Sequence, residues 1–536
     1  MPDTLAAELK TETGASSVPV DDETQDDSIA KESGGTWQDK KDMWRAGVHQ
    51  ELNRNFRFFT ILGFATVLMA TWESVMFGSS VGLTNGGIGG MVYSYIAGII
   101  GFAFVILSMA EMASMAPISG GQYHWISEFA PNEYQQLLSY VSGWVCVLGW
   151  HTGIAGSAYT VANMIIGIIE INHPDTYIAQ PWHGTLLVIA VAFIAMIFNT
   201  VLAPRLPLIE GTMLVFYVLG FFGILIPLWV KGEKNSASKV FSTIEDNGGW
   251  GSRAGACILG LVGPVYALIG PDAAVHMAEE IKDSSRTLPV AMLGTLALNG
   301  IVGFIMLITY VFCIPSSQEA LKHSHGFPFI YVFLQTTGSV GGTTGMTVII
   351  MLLQVCSAVS NVASTSRQLY AFARDGGVPF PHFFAKVNRR FVVPLNALLV
   401  SFIITCLLAL INIGSVVAFN AILSLGVASL LSSYIISIAC VRLKRWRGEP
   451  LPPARWSMGK WASIVETLAI LFLLVVWVCA FFPLKREVSL ETMNWSCAIF
   501  GGVVICALGY YFVHAKHTYK GPVTKVRPWA EMVNIH

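Results

Sequence analysis

Apolar and polar positions alternate along this chain in long blocks. Twelve stretches of about 20 or more residues carry almost no charge: 58–84, 91–114, 136–169, 183–203, 207–230, 254–275, 288–314, 346–370, 394–412, 416–440, 461–483 and 493–513. About 20 apolar residues in a helix cross the hydrocarbon layer of a bilayer. The pattern therefore predicts an all-α, polytopic membrane protein with twelve spans. A membrane barrel would show alternating strands of about ten residues instead. Most connections are short. Of the two longer ones, 231–253 and 315–345, the second contains GFPFIYVFLQTTG, which predicts a short helix lying over one mouth of the bundle. The segment 115–135, with Gly120-Gly121 and two prolines, reads as an amphipathic piece at the membrane surface.

Composition agrees with the pattern. Of 536 residues 12% are charged and 54% hydrophobic, whereas a soluble domain has about 25% charged residues. The net charge of −1 identifies no partner, but the distribution of basic residues is informative. With the N-terminus placed inside, 25 of the 32 Lys and Arg fall on the inner side and 7 on the outer. Lys and Arg gather on the cytosolic side, and an even number of spans puts both ends there. The clusters RLKRWRG (442–448) and KVNRR (386–390) read as topology anchors, and no nucleic-acid partner is expected. Three regions follow: a mostly disordered, acidic, cytosolic tail over 1–57, a membrane domain over 58–514, and a cytosolic C-terminal tail over 515–536. The first 33 residues hold nine Asp/Glu and two lysines, Lys10 and Lys31, and lack the apolar run of a signal peptide. The nine cysteines fit no zinc or disulfide framework and read as small buried hydrophobes. His323 and His325 suggest no metal site, and Asn494 in NWS sits too near the last span for a glycosylation acceptor.

Where a membrane helix is interrupted, backbone groups are freed and must line a cavity or find other partners. Two spans are interrupted. The first contains LMATWESVMFGSS (68–80) and continues into a glycine-rich stretch; the sixth reads LVGPVYALIGPDAAVHMAEE (261–280). Matching interruptions in two halves of a membrane domain, here spans 1–5 and 6–10, point to a transporter's binding site. A carboxylate in a span costs roughly 3 kcal/mol on insertion scales and needs a partner or a cavity. Glu73 lies about fifteen residues into the first span with no basic residue in that helix. It reads either as a protonated glutamate bonded to a neighbouring helix or as a carboxylate facing a cavity, where it attracts a cation or exchanges a proton. Trp72 favours a cation, because an indole face attracts ammonium groups. Asp272, after Gly270-Pro271, reads as a cap of the second half-helix that is also compatible with a site role, with Tyr266 as an aromatic lid. His151 reads as a packing histidine or a proton relay, and Glu111 as a gate, proton or loop-pairing group. Glu170, Glu210 and Glu466 fall near helix ends and read as wetted interface carboxylates. Tyr159, Asn361 and Asn420 are weaker cavity candidates. No nucleotide, zinc or nucleophile motif is present, so no enzyme activity and no bound cofactor is expected.

At three of these places the chain resembles the amino acid–polyamine–organocation superfamily, in particular its fungal branch of choline, GABA and amino-acid permeases. The segments are SMAEMASMAPISGGQYHWISEFAP (108–131), DAAVHMAEEIKDSSRTLPVAM (272–292) and SRQLYAFARDGGVPFPHFFAKVNRRFVVPLNAL (366–398). The resemblance implies a five-plus-five inverted-repeat fold with two extra helices, and alternating access driven by a proton or exchange gradient. In such permeases the bare amides of a Gly-rich break in helix one hold the substrate's α-carboxylate. Counting back from Gly86-Gly87 places that break near Trp72-Glu73-Ser74, so this chain departs from the amino-acid pattern and favours a choline-like or amine substrate. The helix-six pattern is kept as Tyr266, Gly270 and Asp272. The expected substrate site comprises Trp72, Glu73, Ser74, Tyr266, Ala267, Gly270, Asp272 and Asn361, with Glu111 and His151 as gating or proton groups. The expected activity is proton-coupled import of a small amine or organic cation at the plasma membrane, by a chain for which a monomer suffices. The alternatives are a neutral or basic amino-acid permease or exchanger, and a nutrient sensor that binds without transporting.

Overall fold

The computed structural model describes residues 34–322, 326–388, 390–414, 416–490 and 492–526. The acidic stretch 1–33, His323 and His325 lie outside them, as does the side chain of Asn420. Among the described residues, twelve helical spans are long and apolar enough to cross a membrane. They are span 1 (Phe58–Thr84), 2 (Gly87–Met115), 3 (Gln135–Asn172), 4 (Pro181–Thr200), 5 (Ala203–Lys231), 6 (Arg253–His276), 7 (Ser284–Cys313), 8 (Val340–Arg374), 9 (Leu395–Ile413), 10 (Ile422–Trp446), 11 (Gly459–Cys479) and 12 (Ser496–Thr524). The even count returns the chain to the face it starts from, called here the terminal face.

Spans 1 and 6 are broken. In span 1 the helix stops at Met69, and Ala70 takes a left-handed conformation (φ 44°, ψ 47°) before the helix Thr71–Phe77 begins. Span 6 runs as a helix to Leu268, extends through Ile269 and Gly270, and resumes at Ala273. Gly270 has φ 127°, and a Cβ there would lie 2.8 Å from Leu68 and 3.0 Å from Met69. No L side chain suits that position, for conformational and steric reasons together. The two breaks touch: the Thr71 hydroxyl donates to the Ala267 carbonyl at 2.8 Å. Span 8 supplies the missing partners, with Ser357 donating to the Leu68 carbonyl (2.7 Å) and Ser364 to that of Ala273 (3.3 Å). Backbone freed by the breaks is thus satisfied by neighbouring hydroxyls, as membrane interiors require.

The break in span 1 therefore falls at Ala70, not at the Trp72-Glu73-Ser74 position expected from the sequence. Those three residues form the first turn of the second half-helix. The segment 115–135 also differs from expectation. Its helix Gln122–Phe129 is buried throughout, because Gly121 at φ 57° turns the chain back into the bundle against spans 3 and 10. The short helix expected over the mouth opposite the terminal face is present as Pro328–Thr337. On that mouth the strand pair Asn85–Gly86 and Glu245–Asp246 joins the end of span 1 to the connection before span 6.

Residues 34–57, grouped with the tail in the sequence reading, pack under the terminal face. The helix Trp37–Ala46 is capped by Thr36 and Asp39 in a reciprocal box. Asp39 then accepts from the backbone N–H groups of Asp283 (2.9 Å) and Ser284 (3.0 Å), capping span 7, and pairs with Arg54 at 3.1 Å. Arg54 also donates to the carbonyls of Ala278 and Ile281, and Phe56 bridges to Ile281.

Candidate functional site

At the level of the two breaks lies a cavity with about 610 Å³ of space free of protein atoms, open solvent included. Span 3 contributes Trp150, Thr152 and Ser157; span 8 contributes Gln354, Ser357 and Asn361; span 10 contributes Leu423, Val427 and Leu430. The broken spans contribute Leu68, Met69 and Ser74 on one side and Tyr266, Ile269 and Gly270 on the other. One wall is therefore polar and hydrogen-bonding, the other apolar. None of the lining residues is Asp, Glu, Lys or Arg. Asn361 is held by Ser157 (3.2 Å) and by the Ser357 carbonyl (3.1 Å). Among the described residues the Gln354 Oε1 and the Trp150 indole N–H are buried with no hydrogen-bond partner, which leaves both open to a bound molecule. Phe77 meets the Tyr266 ring at 6.5 Å and the Phe327 ring at 6.2 Å, both edge-on, lining up aromatic groups toward the mouth opposite the terminal face.

Of the residues expected from the sequence, Ser74, Tyr266, Gly270 and Asn361 meet at this cavity. Ala267 lines a smaller, mostly apolar cavity beside it, shared with Ser74 and bordered by Tyr95 and Met91. Trp72 and Glu73 are not among the lining side chains. Trp72 packs against Tyr217 (5.9 Å) and Phe221 (6.0 Å) of span 5. Glu73 is fully buried, and among the described residues neither carboxylate oxygen has a hydrogen-bond partner. Asp272 makes no cap. Its carboxylate accepts instead from Gln122 and Tyr434, both at 2.7 Å, tying the break in span 6 to the buried helix Gln122–Phe129 and to span 10. His151 bonds the Val147 carbonyl (2.7 Å) and Ser401 (3.0 Å) away from the cavity. Glu111 accepts from Arg445 (2.8 Å) and Ser457, an ion pair at the terminal face. Glu170 is half-buried, but Glu210 and Glu466 are not the wetted carboxylates expected: both are fully buried, Glu210 accepting from Ser360 (2.9 Å) and Glu466 from Arg445 (3.2 Å). Their places near helix ends gave no hint that neighbouring spans cover them. The Asn494 amide donates to the carbonyls of Ala480 and Phe482, which engages it in the fold.

Between the cavity and the terminal face lies a floor of buried ion pairs on the connection from span 6 to span 7. Arg374 donates to both oxygens of Glu279 (2.8 and 2.9 Å), the Ser119 amide adds a third bond (3.3 Å), and Arg367 pairs with Glu280 at 2.8 Å. Burial pushes the Glu279 carboxyl up, but Arg374, the Ser119 amide and Arg54 outweigh it and hold it below the usual carboxylate range. Asp39 behaves alike: burial raises it, and Arg54 with the amides of Ser284, Thr36 and Asp283 bring it below its ordinary value. The terminal face is shut by charge pairs rather than by apolar packing alone.

A cavity halfway along two broken helices, closed on one face by a separable set of contacts, is the architecture of a secondary transporter. The family comparison agrees: the profile described as amino acid permease matches residues 56–505. The chain belongs to this family of the amino acid–polyamine–organocation superfamily and is a permease-type transporter, not an enzyme. Among its relatives, the amino-acid permease BAT1 of Arabidopsis thaliana is 30% identical over 90% of this chain and 95% of its own length. The choline transporter of Saccharomyces cerevisiae is 28% identical over 88% and 84%, and amino-acid permease 2 of Neurospora crassa 25% over 88% and 86%.

Proposed function

We propose that this permease carries a small amino compound, an organic cation such as choline or an amino acid such as GABA, by proton-coupled alternating access. The observation that supports this most is the chemistry of the cavity wall. The rings of Trp150 and Tyr266 offer faces to an ammonium group, while Gln354, Asn361 and Ser157 offer neutral hydrogen bonds to a hydroxyl or carboxyl end. A wall with no ionised side chain is suited to a compact molecule that carries its own charge and meets oriented dipoles. The substrate contacts are Ser74, Tyr266, Gly270 and Asn361, with Trp150 and Gln354 added. Trp72 and Glu73 stand in the layer behind, and Asp272 fixes the break. Ala70 and Gly270 are the hinges about which the half-helices move. A neutral or basic amino-acid substrate is the second reading, favoured by the relatives named as amino-acid permeases.

The experiment is a competition panel in cells expressing the chain, with labelled choline, GABA and neutral and basic amino acids at two pH values. Concentrative uptake of one of them that rises at acid pH is the expected result. Binding without uptake would favour a sensor, and silence towards every compound would refute the reading. The bias of Lys and Arg supports cytosolic termini; with the plasma membrane as the proposed location, protease protection of terminal tags in intact cells would check the orientation.

A further inference from the structure

Behind the cavity wall runs a second buried polar feature that substrate contact does not use. Glu73 on span 1 and Glu210 on span 5 are both 0% exposed, and among the described residues three of their four carboxylate oxygens have no hydrogen-bond partner. The fourth accepts from Ser360 of span 8. The two carboxylates belong to one seam. Cys356 of span 8 lies within electrostatic reach of both, and Tyr217 of span 5 within reach of Glu73. Glu210 precedes Tyr217 by about two helical turns, which sets it about 10 Å nearer the terminal face. Ser360 likewise lies one turn beyond Cys356 in that direction. Tyr217 donates to Asn299 of span 7 (2.5 Å), which reaches the Thr66 carbonyl beside the span 1 break (3.3 Å).

The groups facing this seam are Tyr217 and Glu210 from span 5, Cys356 and Ser360 from span 8, Asn299 from span 7 and Tyr95 from span 2. Among the described residues no Lys, Arg or His neutralises either carboxylate. An ionised carboxylate buried without a partner is strongly disfavoured, and the group takes up a proton instead. Glu73 lies in the turn that follows Ala70, the same turn that places Ser74 on the cavity. Any rotation of this half-helix therefore changes what surrounds the carboxylate.

We propose that Glu73 and Glu210 carry the coupling proton along the seam between spans 1, 5 and 8, separate from the substrate cavity. The proton sits on Glu73 while the terminal face is shut. It leaves by way of Glu210 toward the terminal face when the half-helix after Ala70 moves, and substrate binding at Ser74 is linked to it through the shared turn. This rests on the proton-coupled reading above, so the test has one arm that needs no substrate. Infrared difference spectra of the purified protein at neutral pH, parent minus Glu73→Gln and parent minus Glu210→Gln, are expected to contain the carbonyl stretch of a protonated carboxylic acid. Its absence from both overturns the proposal whatever the substrate. The second arm uses proteoliposomes. A one-proton symporter gains about tenfold in accumulation per pH unit of gradient. The parent is expected to show that gain, and the two variants, monodisperse by gel filtration, a flat response. Uptake reduced by the same factor with and without the gradient, or a gradient response equal to the parent's, overturns the proposal. Failure of the parent to transport any compound of the panel defeats the functional reading alone and leaves the infrared arm to decide on the carboxylates.

Discussion

At the scale of single residues, the site depends on positions where only one side chain satisfies the geometry. Gly270→Ala puts a Cβ against Leu68 and Met69 at a positive φ. Such strain costs about 1–3 kcal/mol, so a lowered melting temperature in detergent and a loss of uptake are expected together. Asn361→Ala removes a cavity amide held in place by Ser157 and Ser357. Losing one neutral hydrogen bond to a ligand, about 1 kcal/mol, raises KM about fivefold, which initial-rate uptake would measure. His124, on the buried helix Gln122–Phe129, gives a pH dependence. Burial lowers its pKa from 6.5 to about 4, only partly countered by Asp375. The unfolded chain binds its proton from about pH 6.5 downward while the folded one does not, so stability is lost as pH falls from 6.5 towards 4. The shift corresponds to about 3 kcal/mol. The variant His124→Asn is expected to flatten that part of a melting-temperature against pH curve, and an unchanged slope would contradict the assignment.

At the scale of elements, the broken spans depend on partners from unbroken ones. Spans 3 and 10 approach closely where glycines face side chains: a Cβ on Gly149 would lie 2.7 Å from Leu430, and one on Gly426 2.8 Å from Thr152. This close contact forms one end of the cavity. The connection after span 6 is held by the strap 34–57, chiefly through Arg54. Arg54→Ala leaves Asp39 buried without its cation. Removing one member of a buried pair costs about 3–5 kcal/mol, expected here as a loss of thermal stability. The conservative Arg54→Lys restores the charge but not the second donor, the Nε–H that Arg54 gives to Gln50 beside the Nη1 bonds to Ala278 and Ile281, so partial recovery is expected.

For the whole molecule, legibility followed the range of the interactions involved. The spans were readable because hydropathy is local, and the break in span 6 because Gly270-Pro271 announces itself. Sequence reading puts the break in span 1 at Trp72-Glu73-Ser74, two to four residues beyond Ala70, where it falls. Ala70 carries no mark of a left-handed turn; its conformation is enforced by Ser357, Thr71 and the facing break. Four of the eight expected site residues reach the cavity: Ser74, Tyr266 and Gly270 because they flank the interruptions, and Asn361 from the facing span 8. Trp150, Gln354 and Leu430 are not legible in the sequence because their positions depend on how spans 3, 8 and 10 pack. The glycines of GWHTGIAGS around Trp150 were the one local signal of that close packing. Burial of Glu210 and Glu466 was likewise invisible along one helix and plain once neighbours were in place.

The strap beneath the terminal face has a consequence for the timing of the transport cycle. Asp39 ties residues 34–57 to the start of span 7, and Arg54 ties them to the connection before it. In the proposed cycle, opening of the terminal face works against this clasp. A chain trimmed to begin at residue 51 would cycle with its doorway ajar, trading tight coupling for leak.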